Sequence, residues 1–390
     1  PIGLFSLAAF LETHGFQAAV LNANFFPDYQ TSGSAWSGSG RPRPEGYYYA
    51  QDQANPVWEQ VLDFIEAVEP KLIGFSCHDL AVGGIKLLAK SLKERDPGRL
   101  VAVGGPTPSG AADIFDDCLD VDFLLAGEGE ITLLELAQIL RVNDWQAPAS
   151  HSEVEALGGL YHRSGGRLIF NGPRRRLPVL DDLPDARRAY YWLAYERRLV
   201  LRYVQLNGVA PSRGCLKMCP FCGPRTIWPR PVRLRSLPRV IGDRAALRLS
   251  YPEHFHHFSF SAVDFLARAD RGDDFCGRLR ELEGDYKFRC YGRVNNLQNE
   301  EMIETLIKTG CQEIWVGVES GSQKVLKAMG KGITVSQIKR LDQLFHNYDF
   351  PWLAFIILGT PPESEADIEL TLNLLRAGHF PNIQPFTFQP

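Results

Sequence analysis

Three cysteines, Cys215, Cys219 and Cys222, crowd into the stretch "SRGCLKMCPFCG" with the spacing C-x3-C-x2-C. A disulfide would pair two of these thiols and strand the third, and a reducing compartment disfavours it. A structural zinc ion takes four ligands, so a fourth would have to come from elsewhere, with His254, His256 and His257 as candidates. A [4Fe–4S] cluster held by three thiolates leaves one iron open. An open iron suits a cluster that must bind and reduce a substrate rather than only relay electrons.

The elements that must position this loop can be read on either side of it. Over 199–390, six apolar stretches read as strands: "YVQLNGVAPSRGC", "FHHFSFSAVDF", "KFRCYGRVNN", "EIWVGVES", "WLAFIILG" and "IQPFTFQP". Helical segments separate them, and right-handed crossovers of this kind suit a partial (β/α)6 barrel. The cysteines follow its first strand, on a strand-to-helix loop, where such barrels place their chemistry.

Residues 1–140 alternate in the same way. Helical segments "GLFSLAAFLETHG", 57–68, 84–95 and "ITLLELAQIL" are separated by the strands "QAAVLNAN", "KLIGFSC", "LVAVGGP" and "VDFLLAGEGE". That pattern predicts a Rossmann-like parallel sheet with helices on both faces. Such a sheet usually opens on a strand, and here it opens on a helix, so one N-terminal strand is expected to be missing. The last strand has no helix after it, so residues are also expected beyond the C-terminus. Residues 141–198 read as a linker, with a hairpin turning at Ser164-Gly165-Gly166 and a proline-rich crossing.

At 390 residues the chain is long for one hydrophobic core, so two domains are expected. A composition 45% hydrophobic and 23% charged excludes disorder. A net charge of −4 gives no electrostatic case for nucleic acid or an anionic membrane as an obligatory partner. No apolar run reaches the roughly 18 residues a membrane span needs, and the start "PIGLFSLAAFLETHGF" lacks a signal peptide's basic flank and cleavage site. Three clustered and five scattered cysteines suit a reduced, cytoplasmic protein with a metal site.

The cysteine spacing, the Pro220-Phe221 pair inside it and the barrel behind it resemble the radical S-adenosylmethionine superfamily. The resemblance implies that the open iron chelates the amino and carboxylate groups of S-adenosylmethionine. One electron, from a donor such as flavodoxin or ferredoxin, then yields methionine and a 5′-deoxyadenosyl radical. "WVGVESGS" (315–322) looks like the strand-four motif, which implies that Glu319 and Ser320 reach the ribose or amino acid part. "FIILGTPPES" (355–364) resembles the strand-five signature, with Gly359 and Pro361 letting backbone approach the adenine. Arg293, after strand three, suits the methionyl carboxylate. Phe221 is expected near the adenine, and Asp264 and Ser261 are expected to touch substrate or cofactor.

The first domain carries "GFSCHDLAVGG", "VGGPTPS" and "AGEGE" after successive strands. These resemble the cobalamin-binding domain of cobalamin-dependent radical S-adenosylmethionine enzymes. Ligands of parallel sheets bind at the strands' carboxyl ends. The resemblance therefore points to Ser76, Cys77, His78 and Asp79, to Gly104, Gly105, Pro106 and Ser109, and to Gly127 and Glu128. Many such domains carry Asp-x-His-x-x-Gly, whose histidine ligates cobalt. Here Ser76 stands in place of the aspartate and Ala81 in place of the glycine, so axial ligation by His78 is not carried over. No G-x-G-x-x-G follows the strands, which argues against NAD.

The resemblance implies an enzyme using a [4Fe–4S] cluster, S-adenosylmethionine and cobalamin to methylate an unactivated carbon of a small-molecule or peptide substrate. A cobalamin-dependent cyclase or rearrangement enzyme is the alternative, and a zinc-stabilised binding module a distant one. A methylthiotransferase would need a second cluster, and only Cys77 and Cys118 precede residue 215.

Overall fold

In the first half of the chain, amphipathic helices flank a sheet of short buried strands. The elements are α1 (Ile2–Thr13), α2 (Val57–Val68), β1 (Leu72–Ser76), α3 (Val82–Arg95), β2 (Leu100–Gly104), α4 (Pro106–Gly110), β3 (Phe123–Leu125), α5 (Gly129–Val142), β4 (Leu160–Ser164) and β5 (Arg167–Phe170). They belong to a computed structural model that describes residues 2–21, 56–146, 152–184, 209–217, 219–228, 231–236, 238–243, 257–260, 266 and 287–388. The chain divides into two units, Pro1–Leu177 with Leu183–Val200, and Pro178–Asp182 with Leu201–Pro390.

The first sheet has the order β1-β2-β3-β4-β5. Its register pairs Ile73 with Val101 and Val103 with Leu124 in parallel. Strand β2 lies between β1 and β3, and its side chains alternate between two cores as the pleat requires. Val101 and Val103 join Val61, Leu88 and Leu92 on the face that α2 and α3 cover. Leu100 and Ala102 join Leu136 and Leu140 on the α5 face. Each such large aliphatic side chain, fully buried, stabilises the fold by about 1.5–3 kcal/mol.

Two expectations need correcting. The hairpin that the sequence places in the linker pairs into this sheet: β4 runs antiparallel to β3, with Phe123 opposite His162. Its turn is made by Gly165 and Gly166 at φ +58° and +79°, the left-handed pair that a two-residue hairpin favours. Tyr161 stacks on Phe170 across the strands at 4.4 Å. The stretch expected as a strand at 17–24 is irregular over its described part, 17–21. Phe16 and Val20 are buried there, so apolar burial is met without a ladder.

The second unit carries β8 (His257–Ser259), β9 (Lys287–Gly292), β10 (Cys311–Glu319), β11 (Trp352–Leu358) and β12 (Asn382–Thr387), hydrogen-bonded in chain order. All the neighbours are parallel. A parallel bridge from Val209 to Phe260 sets the end of the preceding segment beside β8. This is the sequential order of an open (β/α) barrel. The crossovers are α6 (Glu300–Lys308), then α7 (Gln323–Ala328) and α8 (Val335–Asn347), then α9 (Glu365–Ala377). Capping boxes at Thr334/Gln337 and Ser364/Asp367 start α8 and α9. Phe345 of α8 packs on Trp352 of β11 at 5.3 Å, in the core between helices and sheet. Between Val209 and β8, the two-residue strands β6 (Ser212–Arg213) and β7 (Arg233–Leu234) pair antiparallel and bracket the cysteine loop. No helix among the described residues is long and apolar enough to cross a membrane.

Candidate cofactor sites

β6 delivers the chain to Gly214, which sits at φ +101°, and the cysteines follow. The loop folds through short-range hydrogen bonds. The Lys217 N–H donates to Cys215 Sγ at 3.4 Å, Cys222 N–H to the Cys219 carbonyl at 3.1 Å, and Arg225 N–H to the Cys222 carbonyl at 3.2 Å. Cys219 is buried, while Cys215 and Cys222 are half-buried. Burial above all, and then the neighbouring Cys219 and Cys215 thiols, push the Cys222 thiol above its ordinary value, with Lys331 opposing them.

Among the described residues, no three His, Cys, Asp or Glu side chains converge on a point that could hold one metal ion. Three free thiols on one short loop are the donor set that a [4Fe–4S] cluster held by three thiolates requires. Coordination then removes the proton that burial alone would retain.

The carboxyl ends of β9 and β10 come to the same loop. Arg293 follows β9 and is 8% exposed. Its Nη2 donates to the Lys331 carbonyl at 2.8 Å and its Nη1 to Cys219 Sγ at 3.8 Å. Glu319 ends β10 at φ +70°, where the β10–β11 register slips between Gly317 and Glu319. Its Oε1 accepts from Lys331 Nζ at 2.5 Å, with both side chains buried. A Cβ on Gly317 would stand 2.3 Å from Glu319 Oε1 and 2.4 Å from Lys331 Nζ, so this ion pair occupies the space a side chain at 317 would need. Lys331 Nζ also lies 5.7 Å from the Phe221 ring centre, a cation–π distance. Residues 330–331 thus lie against the middle of the cysteine loop.

Lys331 was not singled out from sequence. Its signal is slight, a lysine between Gly330 and Gly332, both with left-handed backbone at φ +58° and +68°.

Ser320 does not present a free hydroxyl. It is fully buried, its Oγ lies 3.2 Å from Thr371 Oγ1, and it accepts the Ser322 N–H at 3.1 Å. Beside it a Cβ on Gly321 would stand 2.6 Å from Thr371 Cα. Ser322 Oγ and Lys324 Nζ both donate to Asp367, whose carboxyl Lys324 and the Ser364 and Ser322 hydroxyls hold well below the usual carboxylate range. The "ESGS" turn is thereby tied to α9.

Gly359 follows β11 at φ +82° with nothing within 4 Å of where a Cβ would stand, and its N–H donates to Glu363 Oε2 at 2.6 Å. Pro361 is exposed, and Thr360 Oγ1 and Glu363 Oε1 are buried without a hydrogen-bond partner in the structure. Ser261, Asp264, His254 and His256 lie outside the described residues.

In the first unit the loops after β1, β2 and β3 are joined to one another. Cys77 N–H donates to the Gly104 carbonyl at 2.7 Å, and the Thr107 N–H to the Cys77 carbonyl at 3.3 Å. Thr107 Oγ1 donates to Asp79 Oδ1 at 2.8 Å. Ser109 Oγ donates to the Gly105 carbonyl at 2.7 Å and accepts the Gly127 N–H at 2.9 Å. Gly105, at φ +110°, leaves a Cβ only 2.6 Å from the Cys77 carbonyl, so only glycine fits. Burial pushes the Cys77 thiol up to about 11. Ser76, His78 and Asp79 stay exposed around it, with Pro106 exposed on the neighbouring loop. Glu128 occupies the residue position just before α5 in extended backbone, with no side-chain capping bond to the helix. Thr107, which clamps two loops, was also missed, because a threonine between prolines reads only as a turn.

Two family models match the chain: the B12 binding domain over residues 43–137 and the radical SAM superfamily over residues 209–375. The chain belongs to the cobalamin-dependent radical S-adenosylmethionine enzymes. Its relatives include an uncharacterized methyltransferase of Pyrococcus horikoshii, 24% identical over 82% of this chain and 67% of the relative. The anaerobic magnesium-protoporphyrin IX monomethyl ester cyclase of Rubrivivax gelatinosus is 22% identical over 82% of this chain and 56% of its own length. The cobalamin-dependent radical SAM methyltransferase TokK of Streptomyces tokunonensis is 32% identical over 82% of this chain and 47% of its own. The chain therefore spans about half to two thirds of these relatives' lengths.

Among solved structures, the radical S-adenosylmethionine methyltransferase TsrM of Kitasatospora setae, with cobalamin and a [4Fe–4S] cluster bound, shares the fold. It superposes with a TM-score of 0.71 at 15% identity, covering 99% of this chain and 69% of TsrM. For this cobalamin-dependent radical S-adenosylmethionine enzyme the cofactors are a [4Fe–4S] cluster, S-adenosylmethionine and cobalamin.

Proposed function

We propose that this chain is the cofactor-bearing part of a methyltransferase that replaces a hydrogen on an unactivated carbon with a methyl group. What carries the reading is the pairing of a B12-binding domain with a radical SAM domain, in a chain 32% identical to a named cobalamin-dependent radical SAM methyltransferase. When bound, S-adenosylmethionine on the reduced cluster supplies a 5′-deoxyadenosyl radical, and methylcobalamin supplies the methyl group. The protein's part is to bind, orient and exclude water.

In this reading Cys215, Cys219 and Cys222 hold the cluster. Glu319 and Lys331 form a buried ion pair beside it, able to exchange partners with the ammonium and carboxylate of a bound amino acid. Phe221 packs against the adenine, and Gly359 and Pro361 admit it to the backbone at the end of β11. The loops around Cys77 to Asp79, Gly104 to Ser109, and Gly127 and Glu128 hold the corrin through backbone amides and carbonyls. A low-potential flavodoxin or ferredoxin provides the electron, and a reducing cytoplasm suits the free thiols. The substrate is a small molecule or peptide.

The test is anaerobic reconstitution with iron, sulfide and cobalamin, followed by turnover of candidate substrates with methyl-deuterated S-adenosylmethionine. Methyl transfer is expected to carry the deuterated methyl into product, with 5′-deoxyadenosine released alongside. A cyclisation without methyl transfer is the second reading, favoured by the cyclase among the relatives. It predicts 5′-deoxyadenosine with an unlabelled product.

A further inference from the structure

We propose that Arg293 is a positioning residue for the iron–sulfur cluster, bridging the Cys219 thiolate to the Lys331 carbonyl, and that it raises the cluster's reduction potential. The inference rests on the assignment of the cluster to Cys215, Cys219 and Cys222.

A guanidinium that is 8% exposed has lost most of its hydration, and an unpaired buried cation is costly. Among the described residues no carboxylate pairs with Arg293. The nearby Glu319 is already engaged by Lys331. Among the described residues the group within hydrogen-bond reach that can carry negative charge is Cys219, at 3.8 Å from Nη1. A [4Fe–4S] cluster on three thiolates has net charge −1 oxidised and −2 reduced, and so supplies the missing counter-charge.

The same balance fixes the sign of the effect. A cation bonded to a cluster sulfur favours the reduced, more negative state. The planar fork explains why an arginine stands here. Nη1 reaches the sulfur while Nη2 holds the Lys331 carbonyl at 2.8 Å, a pair of directions that a lysine's single ammonium reproduces poorly. Arg293 thereby fixes the turn bearing Lys331, whose ammonium lies over Phe221 between the second and third cysteines.

The experiment is an electron paramagnetic resonance redox titration of the reconstituted full chain, wild type against Arg293→Met and Arg293→Lys, with iron and sulfide content measured on each. Arg293→Met is expected to keep the cluster and lose about tenfold in the reduction equilibrium, a fall of about 59 mV for a one-electron couple. Arg293→Lys is expected to recover part of that fall. Unchanged potentials in iron-replete variants overturn the proposal. So does weaker S-adenosylmethionine binding with no shift in potential, which would make Arg293 a ligand for the carboxylate instead.

If the variants fail to fold or to hold iron, the wild type decides. With arginine labelled by 15N in the guanidinium, electron spin echo modulation of the reduced cluster is expected to show a 15N coupling. A four-iron species without that coupling overturns the role of Arg293 alone, whereas the lack of any four-iron species in Mössbauer spectra overturns the cluster assignment itself.

Discussion

At the carboxyl end of the first sheet the loops are held together mostly by neutral hydrogen bonds: Cys77 to Gly104 and Thr107, and Ser109 to Gly105 and Gly127. At the same end of the second sheet buried charge does the work, through the Glu319–Lys331 pair and the Arg293 guanidinium. Both regions use glycines where a Cβ has no room, Gly105 in one and Gly317 in the other. The difference follows the ligands each region is proposed to take. A large corrin edged with amides can be met by backbone donors and acceptors. A zwitterionic amino acid on an anionic cluster needs full charges, held in advance where water cannot screen them.

The largest effect is expected from Cys219→Ala, which should abolish the four-iron signal in Mössbauer spectra and 5′-deoxyadenosine formation with it. A retained cluster would remove the cysteine loop from the comparison. Next, Lys331→Met strands a buried Glu319 carboxylate, an expected loss of about 3–5 kcal/mol in chemical denaturation of the second unit. Adding Glu319→Gln should restore much of it, and simple additivity of the two changes would mean that the pair is not coupled.

Gly105→Ala is the counterpart in the neutral region. Its strained φ and the contact with the Cys77 carbonyl should cost about 1–3 kcal/mol and reduce cobalamin retained on gel filtration, with iron content unchanged. The smallest effect is alkaline. The folded Cys77 thiol titrates near 11 against an ordinary 9.0, so its contribution is complete below pH 9 and is lost as pH rises towards 11. By pH 10 that loss should be about 1 kcal/mol, and Cys77→Ala should flatten this part of the pH–stability curve.

Much of the scaffold was legible because period and spacing are local. Helix 57–68 and the strands around 72–76, 100–104 and 352–358 follow from burial periodicity alone. The cysteine spacing raised the expectation of a cluster in the same way, together with the barrel read behind it. What escaped depends on partners distant in sequence. Lys331 is explained by Glu319 and Phe221, and nothing within its own turn announces either. The likeness of "WVGVESGS" to a strand-four motif pointed to Ser320, but it could not show that the hydroxyl bonds to Thr371 and Ser322, one of them a helix away. The hairpin at 160–170 was set in a linker because the alternation of its residues is the same whether its edge is free or laid against β3.

The left-handed backbone at Glu319 has a consequence for anyone who would toughen this scaffold. A residue other than glycine in that region gives up about 1–3 kcal/mol, so a search for stabilising substitutions would be drawn to glycine there. The exchange would relax the main chain and leave an ammonium shut in the interior with no acid to answer it. Stranding that charge costs about 3–5 kcal/mol, more than the strain returned, so an exchange that looks safe from the backbone alone should weaken the fold.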